Sequence, residues 1–281
     1  MSSIKIFISC NSKSYVPHHP LLIPIQTGAA LTDERFPGML YDNTGINISD
    51  KNDSYCELTA QYWAWHNVDA DYFGFMHNRR YLSFSDRRLP EDKKGRVCMD
   101  IIDDSALTTL GYDPEHMRRI IEAYDIITVD MLDLRKEIPF PASPNVYNQY
   151  KNAYQHNISD LDLALQILTE KYPDYQSAVK EYMASDKAYF YNIFIMSRPY
   201  FQDYCAWLFE ILEEFERRTD LINCPVYEKR KTAFIAERLF GIYLTHLKKS
   251  SSPRIRHCQH SFFASLDTPY PMPIQAGSKT V

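Results

Sequence analysis

Residues 42–81 read DNTGINISDKNDSYCELTAQYWAWHNVDADYFGFMHNRRY, and this stretch decides the fold. It passes from a polar loop rich in Asn, Ser and Gly, through an amphipathic helix, to a buried strand that closes on cationic side chains. Asp53 or Ser54 stands where an N-cap accepts the free N–H groups of the next turn, with Glu57 at the capping-box position. Tyr55, Leu58, Thr59 and Tyr62 recur at helical spacing, flanked by Trp63 and His66, which predicts a helix packed on one face. Such a helix start, preceded by Asn47, Ser49, Lys51 and Asn52, offers backbone donors, amides and a cation to one phosphate-sized anion. The plainer alternative is a solvated, well-capped loop.

From Asp71 to Met76 the chain is almost continuously apolar or aromatic, as a central strand covered on both faces should be. At its end come His77, Arg79, Arg80 and Tyr81. In open α/β sheets ligands bind outside the carboxyl ends of the strands, and guanidinium groups grip phosphate oxygens two at a time. Two arginines and a histidine there can neutralise a departing diphosphate without a metal. Against this stands the alternation of strand side chains, under which at most one of the two arginines points into a site.

These residues also resemble a signature. YDNTGINISDKNDSYCELTAQYWAWHN followed by YFGFMHNRRY is similar to the pattern of a bacterial family of galactofuranosyltransferases that assemble surface polysaccharides, long catalogued as a domain of unknown function. The shared elements are a D-x-T-G-x-N-I-S loop, a Y-C-E-L-T helix and an H-x-R-R-Y strand end. The chain departs from the pattern at Ile46, where the family has Asp, at His66 for Lys and at Asn78 for Tyr. With no carboxylate at Ile46, either Asp42 or Asp50 covers its role, or this chain handles a different sugar. The resemblance implies a GT-A-like (Rossmann-like) α/β fold, a mostly parallel central sheet flanked by helices with a helical C-terminal part.

The whole chain sets bounds on this reading. Its 281 residues, 45% of them hydrophobic, suffice for a sizeable core. With 31 basic against 36 acidic residues and a net charge of -5, a generic nucleic-acid binder is disfavoured, and no nucleic acid is expected as a partner. Six cysteines lie far apart with no C-x-x-C pair, which fits reduced thiols better than disulfides or zinc. Met1 to Cys10 lacks the apolar length of a signal peptide, and no run approaches the ~18 apolar residues of a membrane span. The expected location is cytoplasmic, at the inner face of the cell membrane.

In chain order, Ile4 to Ser9 reads as a first, central strand. The following loop carries Lys13, where a nucleotide docks in the suspected fold, although a solvated loop lysine explains it equally well. Pro17, Pro20 and Pro24 keep the next segment extended, and Gly28 then permits close approach of backbone to ligand or simply a turn. Residues 85–95 form a charged loop, read as a mobile lid or connection. Strands are expected at Val97–Ile102, Asp125–Val129 and Ala188–Met196, and a helix at Pro114–Ala123. Asp69-Ala70-Asp71, Asp103-Asp104 and Asp130 with Asp133 do not match the context in which two carboxylates hold a divalent ion, so no metal or other cofactor is expected.

Pro139 to Asn145 marks a junction within a single domain, residues 1–265: about 1–138 bind the nucleotide sugar and about 139–265 the acceptor. Residues 266–281 read as a flexible tail. His156 precedes a helix capped by Ser159, and Asn192 sits in an apolar strand where its amide needs partners. Together with Arg238 these are the acceptor-binding candidates. Displacing a diphosphate with inversion needs a carboxylate to take the acceptor proton, and Asp186 and Glu237 are the catalytic candidates. Residues 248–263 are basic and end in Phe262 and Phe263, so they either rest on anionic headgroups or form a last strand.

The resemblance implies an inverting, metal-independent transfer of galactofuranose from UDP-galactofuranose to a capsule, exopolysaccharide or O-antigen chain, the acceptor being a polysaccharide or lipid-linked glycan. Two alternatives stand beside it: a transferase using a UDP-hexopyranose, and a non-catalytic glycan-binding subunit of an assembly complex.

Overall fold

The computed structural model describes residues 1–136, 144–219 and 228–267. Its strands are β1 (Ile4–Cys10), β2 (Leu22–Gln26), β3 (Leu40–Tyr41), β4 (Tyr72–His77), β5 (Arg96–Met99), β6 (Ile126–Val129), β7 (Leu132–Asp133), β8 (Lys187–Ala188), β9 (Phe194–Ser197), β10 (Ile255–Cys258) and β11 (His260–Phe263). Seven of them make the main sheet, in the order β10-β6-β9-β4-β1-β2-β3. β9 runs antiparallel to β4 and β6, while the other pairs are parallel. β4 is therefore the middle strand, as its apolar run requires. Phe73, Gly74, Phe75 and Met76 are all buried.

The helices are α1 (Asn52–Tyr55), α2 (Leu58–Asn67), α3 (Asp104–Thr109), α4 (Pro114–Glu122), α5 (Val146–Asn152), α6 (Ile158–Lys171), α7 (Gln176–Ala184), α8 (Arg198–Arg218) and α9 (Lys231–Ser250). On one face of the sheet Phe7 meets Trp63 of α2, and Phe73 stacks on Phe201 of α8 with ring centroids 4.3 Å apart. Met76, pointing the other way, receives the Tyr112 hydroxyl at 3.5 Å. Buried stripes pack α8 through Tyr204, Leu208, Ile211 and Phe215 against α9 through Ile235, Leu239 and Ile242. Gly241 lets α7 close on α9: a Cβ there would lie 1.9 Å from Cζ of Tyr182.

Several expectations differ from the structure. The helix in residues 52–67 is broken: Cys56 has a φ of +49° and separates α1 from α2. Neither Asp53 nor Ser54 caps it. The Ser54 hydroxyl bonds instead to Thr232 of α9 at 2.6 Å. A helix of one turn presents no stack of aligned dipoles, so the start of α1 offers little to an anion. The cap of α6 is Asn157, whose side chain accepts from the Ser159 N–H, rather than Ser159. The strand expected at Ala188–Met196 is two short strands, β8 and β9, separated by a corner in which Tyr191 and Asn192 have φ of +78° and +50°.

Residues 85–95 are tied down rather than loose. Leu89 is buried and its backbone is held by Gln259 on both sides. The basic stretch 248–263 supplies β10 and β11, with Phe263 fully buried and Phe262 covered by Arg80 and Arg96. Arg254 pairs with Asp125 and Lys249 with Glu181. The segment is knitted into the fold and presents no free aromatic pair to a membrane. No helix among the described residues is long and apolar enough to cross one. Most of the expected junction, residues 139–143, and nearly all of the expected tail, residues 268–281, lie outside the described residues.

Candidate functional site

At the carboxyl ends of β1, β2 and β4 opens a cleft of about 560 Å³. Ser9, Asn11 and Ser12 line it from β1 and the loop beyond, Thr27 from the end of β2. β4 contributes His77, then Asn78, Arg79 and Arg80. Both arginines face the cleft because they lie in a turn beyond the strand, closed by His77 N–H to Arg80 O at 3.2 Å and Arg80 N–H to His77 O at 3.1 Å. The alternation that would have turned one of them away ends with β4. The opposite wall is built by Asn52, Asp53, Cys56 and Glu57 around the break between α1 and α2, and by Arg230 just before α9.

Charge in this cleft is mostly cationic. The Arg80 guanidinium lies 4.7 Å over the Tyr191 ring and 5.2 Å over Phe262, and burial lowers its pKa from the usual value. Arg230 donates from Nε to Cys56 Sγ at 3.2 Å. Burial, with Glu57 adding to it, pushes the Cys56 thiol up to about 11, so it stays neutral. Among the described residues the Arg79 side chain meets no carboxylate, which leaves it open to an anion.

The strained corner at Tyr191–Asn192 sets the back of the site. Two non-glycine residues in left-handed conformation cost about 1–3 kcal/mol each, and such strain persists only where neighbours over-determine it. They do so here. The Tyr191 N–H donates to Glu237 Oε1 at 2.8 Å, its carbonyl meets His77 Nε2 at 2.5 Å, and Asn192 Nδ2 donates to Glu57 Oε1 at 2.7 Å. Asn192 is buried, and its Oδ1 has no partner among the described residues. Glu237 is held on its other oxygen by Arg238 at 2.6 Å, and burial raises its pKa against the pull of that arginine.

Of the donor-site candidates, Asn52, His77, Arg79 and Arg80 come together in this cleft. Gly28 supports it from behind, since its φ of +70° and missing Cβ let Asn52 pack on it; a Cβ would lie 2.8 Å from Asn52 Oδ1. Four do not line it. Lys51 turns to Glu216 of α8 at 2.7 Å and lies over Tyr55. Ser49 is fully buried, bonded to Asp42 and to the Ala30 N–H. Asn47 spends its amide on Gly45 O and Ser49 N–H. Lys13 is exposed beside Ser12 and stands outside the lining.

Asp42 cannot serve as base or sugar ligand, because it is fully buried and accepts from Gly28 N–H, Ala29 N–H, Ser49 Oγ and Thr59 Oγ1. Asp50 is exposed and outside the cleft. Ile46 is 57% exposed, with its N–H and carbonyl held by Asn67, so the departure at this position does not touch the lining.

The acceptor candidates are structural in their contacts. His156 is sandwiched between Tyr150 and Phe234, and burial followed by Arg238 holds its pKa down at about 3. Arg238 is 1% exposed and clamps Glu237 and Gln149. Asn192 orients Glu57. Asp186 lies on the surface beside β8, paired with Arg135 at 3.2 Å and outside the cleft. Glu57 and Arg230 take the places that sequence reasoning missed. Glu57 lies within the Y-C-E-L-T element at the capping-box position, which accounts for it without a site, and nothing in the sequence around Arg230 marks it.

Five of the carboxylates weighed as metal ligands have partners: Asp103 caps α3, Asp130 pairs with Arg88, Asp133 with Arg135, and Asp69 and Asp71 with Arg198. Among the described residues no three His, Cys, Asp or Glu side chains gather as a metal-binding group.

A family model described as "Domain of unknown function (DUF4422)" matches residues 5–249. The chain belongs to this family. No curated protein matches this DUF4422 chain. Its structure is similar to the apo structure of WbbM, a bifunctional glycosyltransferase, with a TM-score of 0.88 and 35% identity over 94% of this chain. That match covers 46% of WbbM, so the chain spans about half the length of its structural relative. The DUF4422 chain thus has a GT-A-like α/β fold, mostly parallel strands flanked by helices.

Proposed function

We propose that this DUF4422 chain is an inverting, metal-independent glycosyltransferase that moves galactofuranose from UDP-galactofuranose to a growing bacterial surface polysaccharide. The observation that carries the transferase reading is the gathering of His77, Arg79, Arg80 and Arg230 with two carboxylates, Asp53, which pairs with Lys229, and Glu57, which Asn192 anchors, in a single cleft at the carboxyl ends of parallel strands. Similarity to a glycosyltransferase structure supports it. The choice of galactofuranose rests on the signature of residues 41–81.

In this reading the three guanidiniums and His77 take the diphosphate, where a bidentate cation stabilises the charge that grows as the leaving group departs. Glu57 is the general base. Its Oε1 is held by Asn192, leaving Oε2 to accept the proton of the acceptor hydroxyl. The hydroxyl oxygen bonds to the anomeric carbon as the bond to the β-phosphate breaks, and UDP leaves with the electron pair. Glu237 acts at one remove, holding the Tyr191–Asn192 corner that aims Glu57.

The test is turnover of purified protein with UDP-galactofuranose and a galactoside acceptor in EDTA. Release of UDP and a new galactofuranoside is expected. Absence of turnover with every UDP-sugar offered sinks the enzymatic reading, and preference for UDP-galactose or UDP-glucose in donor competition sinks the galactofuranose assignment.

A further inference from the structure

A second cavity of about 560 Å³ lies beside the first, beyond the carboxyl ends of β6 and β10. Its four carboxylates are all paired, with three arginines between them. Arg88 binds Asp130 at 2.9 Å and Glu91 at 2.6 Å, Arg96 binds Asp92 at 2.6 Å, and Arg135 binds Asp133 at 2.7 Å. Lys93, Lys94, Lys136 and Lys187 also line it, and none of the four forms an ion pair among the described residues. The cavity therefore carries a surplus of uncommitted positive charge, although the chain as a whole is acidic.

Its inner wall is aromatic and partly polar. Phe190, Tyr191 and His257 offer ring faces, and His260 is 5% exposed with Nε2 lacking a partner among the described residues. Flat rings beside hydrogen-bonding groups suit a sugar, whose C–H faces stack while its hydroxyls bond.

The partition between the two cavities is one layer of side chains. Arg80, on the first cleft, lies 4.7 Å from the Tyr191 ring, and that ring lies 4.9 Å from His260, on the second. Tyr191 is also the strained residue whose carbonyl meets His77 and whose N–H is held by Glu237. The second cavity thus stands one side-chain layer from the first.

From this geometry we infer that the second cavity is the acceptor subsite, and that it takes a glycan bearing an anionic oxygen group, phosphate or carboxylate, bound by the four lysines while its sugar stacks on the aromatic wall. The acceptor role rests on the transferase reading, whereas the anion site stands on the lysines. Charge of this kind weakens with salt, because exposed cations are screened over about 10 Å at 0.1 M.

The experiment uses protein saturated with UDP, which fills the arginine cleft, titrated calorimetrically with inorganic pyrophosphate and, separately, with a glucuronic-acid-containing disaccharide. One further molecule bound per chain is expected. A Lys94→Glu/Lys187→Glu double variant should weaken it at least tenfold while leaving UDP affinity unchanged. Pyrophosphate binding points to a phosphorylated acceptor, and disaccharide binding to a uronic acid in the glycan. Binding of neither probe, or binding indifferent to the double charge reversal, overturns the inference. Failure of UDP itself to bind counts against the transferase reading instead, and the two probes then judge the anion site in the unloaded protein.

Discussion

At the scale of single residues, Glu57 and His156 show how one burial argument leads to opposite roles. Glu57 is anchored on one oxygen and opens into the cationic cleft, so Glu57→Gln should lower kcat by about 10²–10⁴-fold with UDP affinity retained, measured by UDP release and by titration. A comparable loss of UDP affinity would assign it to binding instead. His156 is neutral in the fold, its pKa brought from 6.5 to about 3, and His260 is brought to about 4, in each case chiefly by burial. The unfolded chain binds these protons first as pH drops. Their contribution to stability is therefore complete above pH 6.5 and is lost as pH falls toward 4 and 3. His156→Phe, which keeps the stack between Tyr150 and Phe234, should flatten the acid side of a melting-temperature profile measured from pH 7 to pH 4.

At the scale of elements, the loop in residues 42–59 is held by one carboxylate. Asp42 gathers two backbone N–H groups and two hydroxyls around itself, and Asp42→Ala leaves both N–H groups and the Ser49 hydroxyl buried without an acceptor, Thr59 keeping only Cys56 O. A loss of about 3 kcal/mol or more is expected in chemical denaturation. Gly28→Ala, at φ +70° and against Asn52, should cost about 1–3 kcal/mol by the same measurement and weaken UDP binding through the displaced Asn52. These elements also show what the sequence discloses. β4 was legible because an unbroken apolar run bounded by charges has few other solutions, and its cationic end follows from strand direction. The break at Cys56 was not legible, since Tyr55, Leu58, Thr59 and Tyr62 keep helical spacing across it. Lys51 consequently swung to α8 instead of into the cleft. Ala188 to Met196 hid a corner because nothing in Tyr191 and Asn192 alone asks for positive φ; contacts with Glu237, His77 and Glu57, from distant segments, impose it.

At the scale of the whole molecule, the sheet is closed at one edge by the far end of the described chain. β10 pairs with β6, β11 with β5, Phe263 is buried, and His260 is buried in the wall of the second cavity. Deleting residues 255–281 should abolish a single cooperative melt and raise binding of a hydrophobic dye, because β6 becomes a bare apolar edge. A cooperative melt at the full-length temperature would show that edge to be dispensable. The same closure has a bearing on biosynthesis. While residues 255–263 are still inside the ribosome, β6 already waits with its hydrogen-bonding groups unsatisfied, and neither ligand cavity has its final wall. Such a nascent chain exposes the β6 edge to its neighbours until residues 255–258 emerge and β10 adds to the sheet.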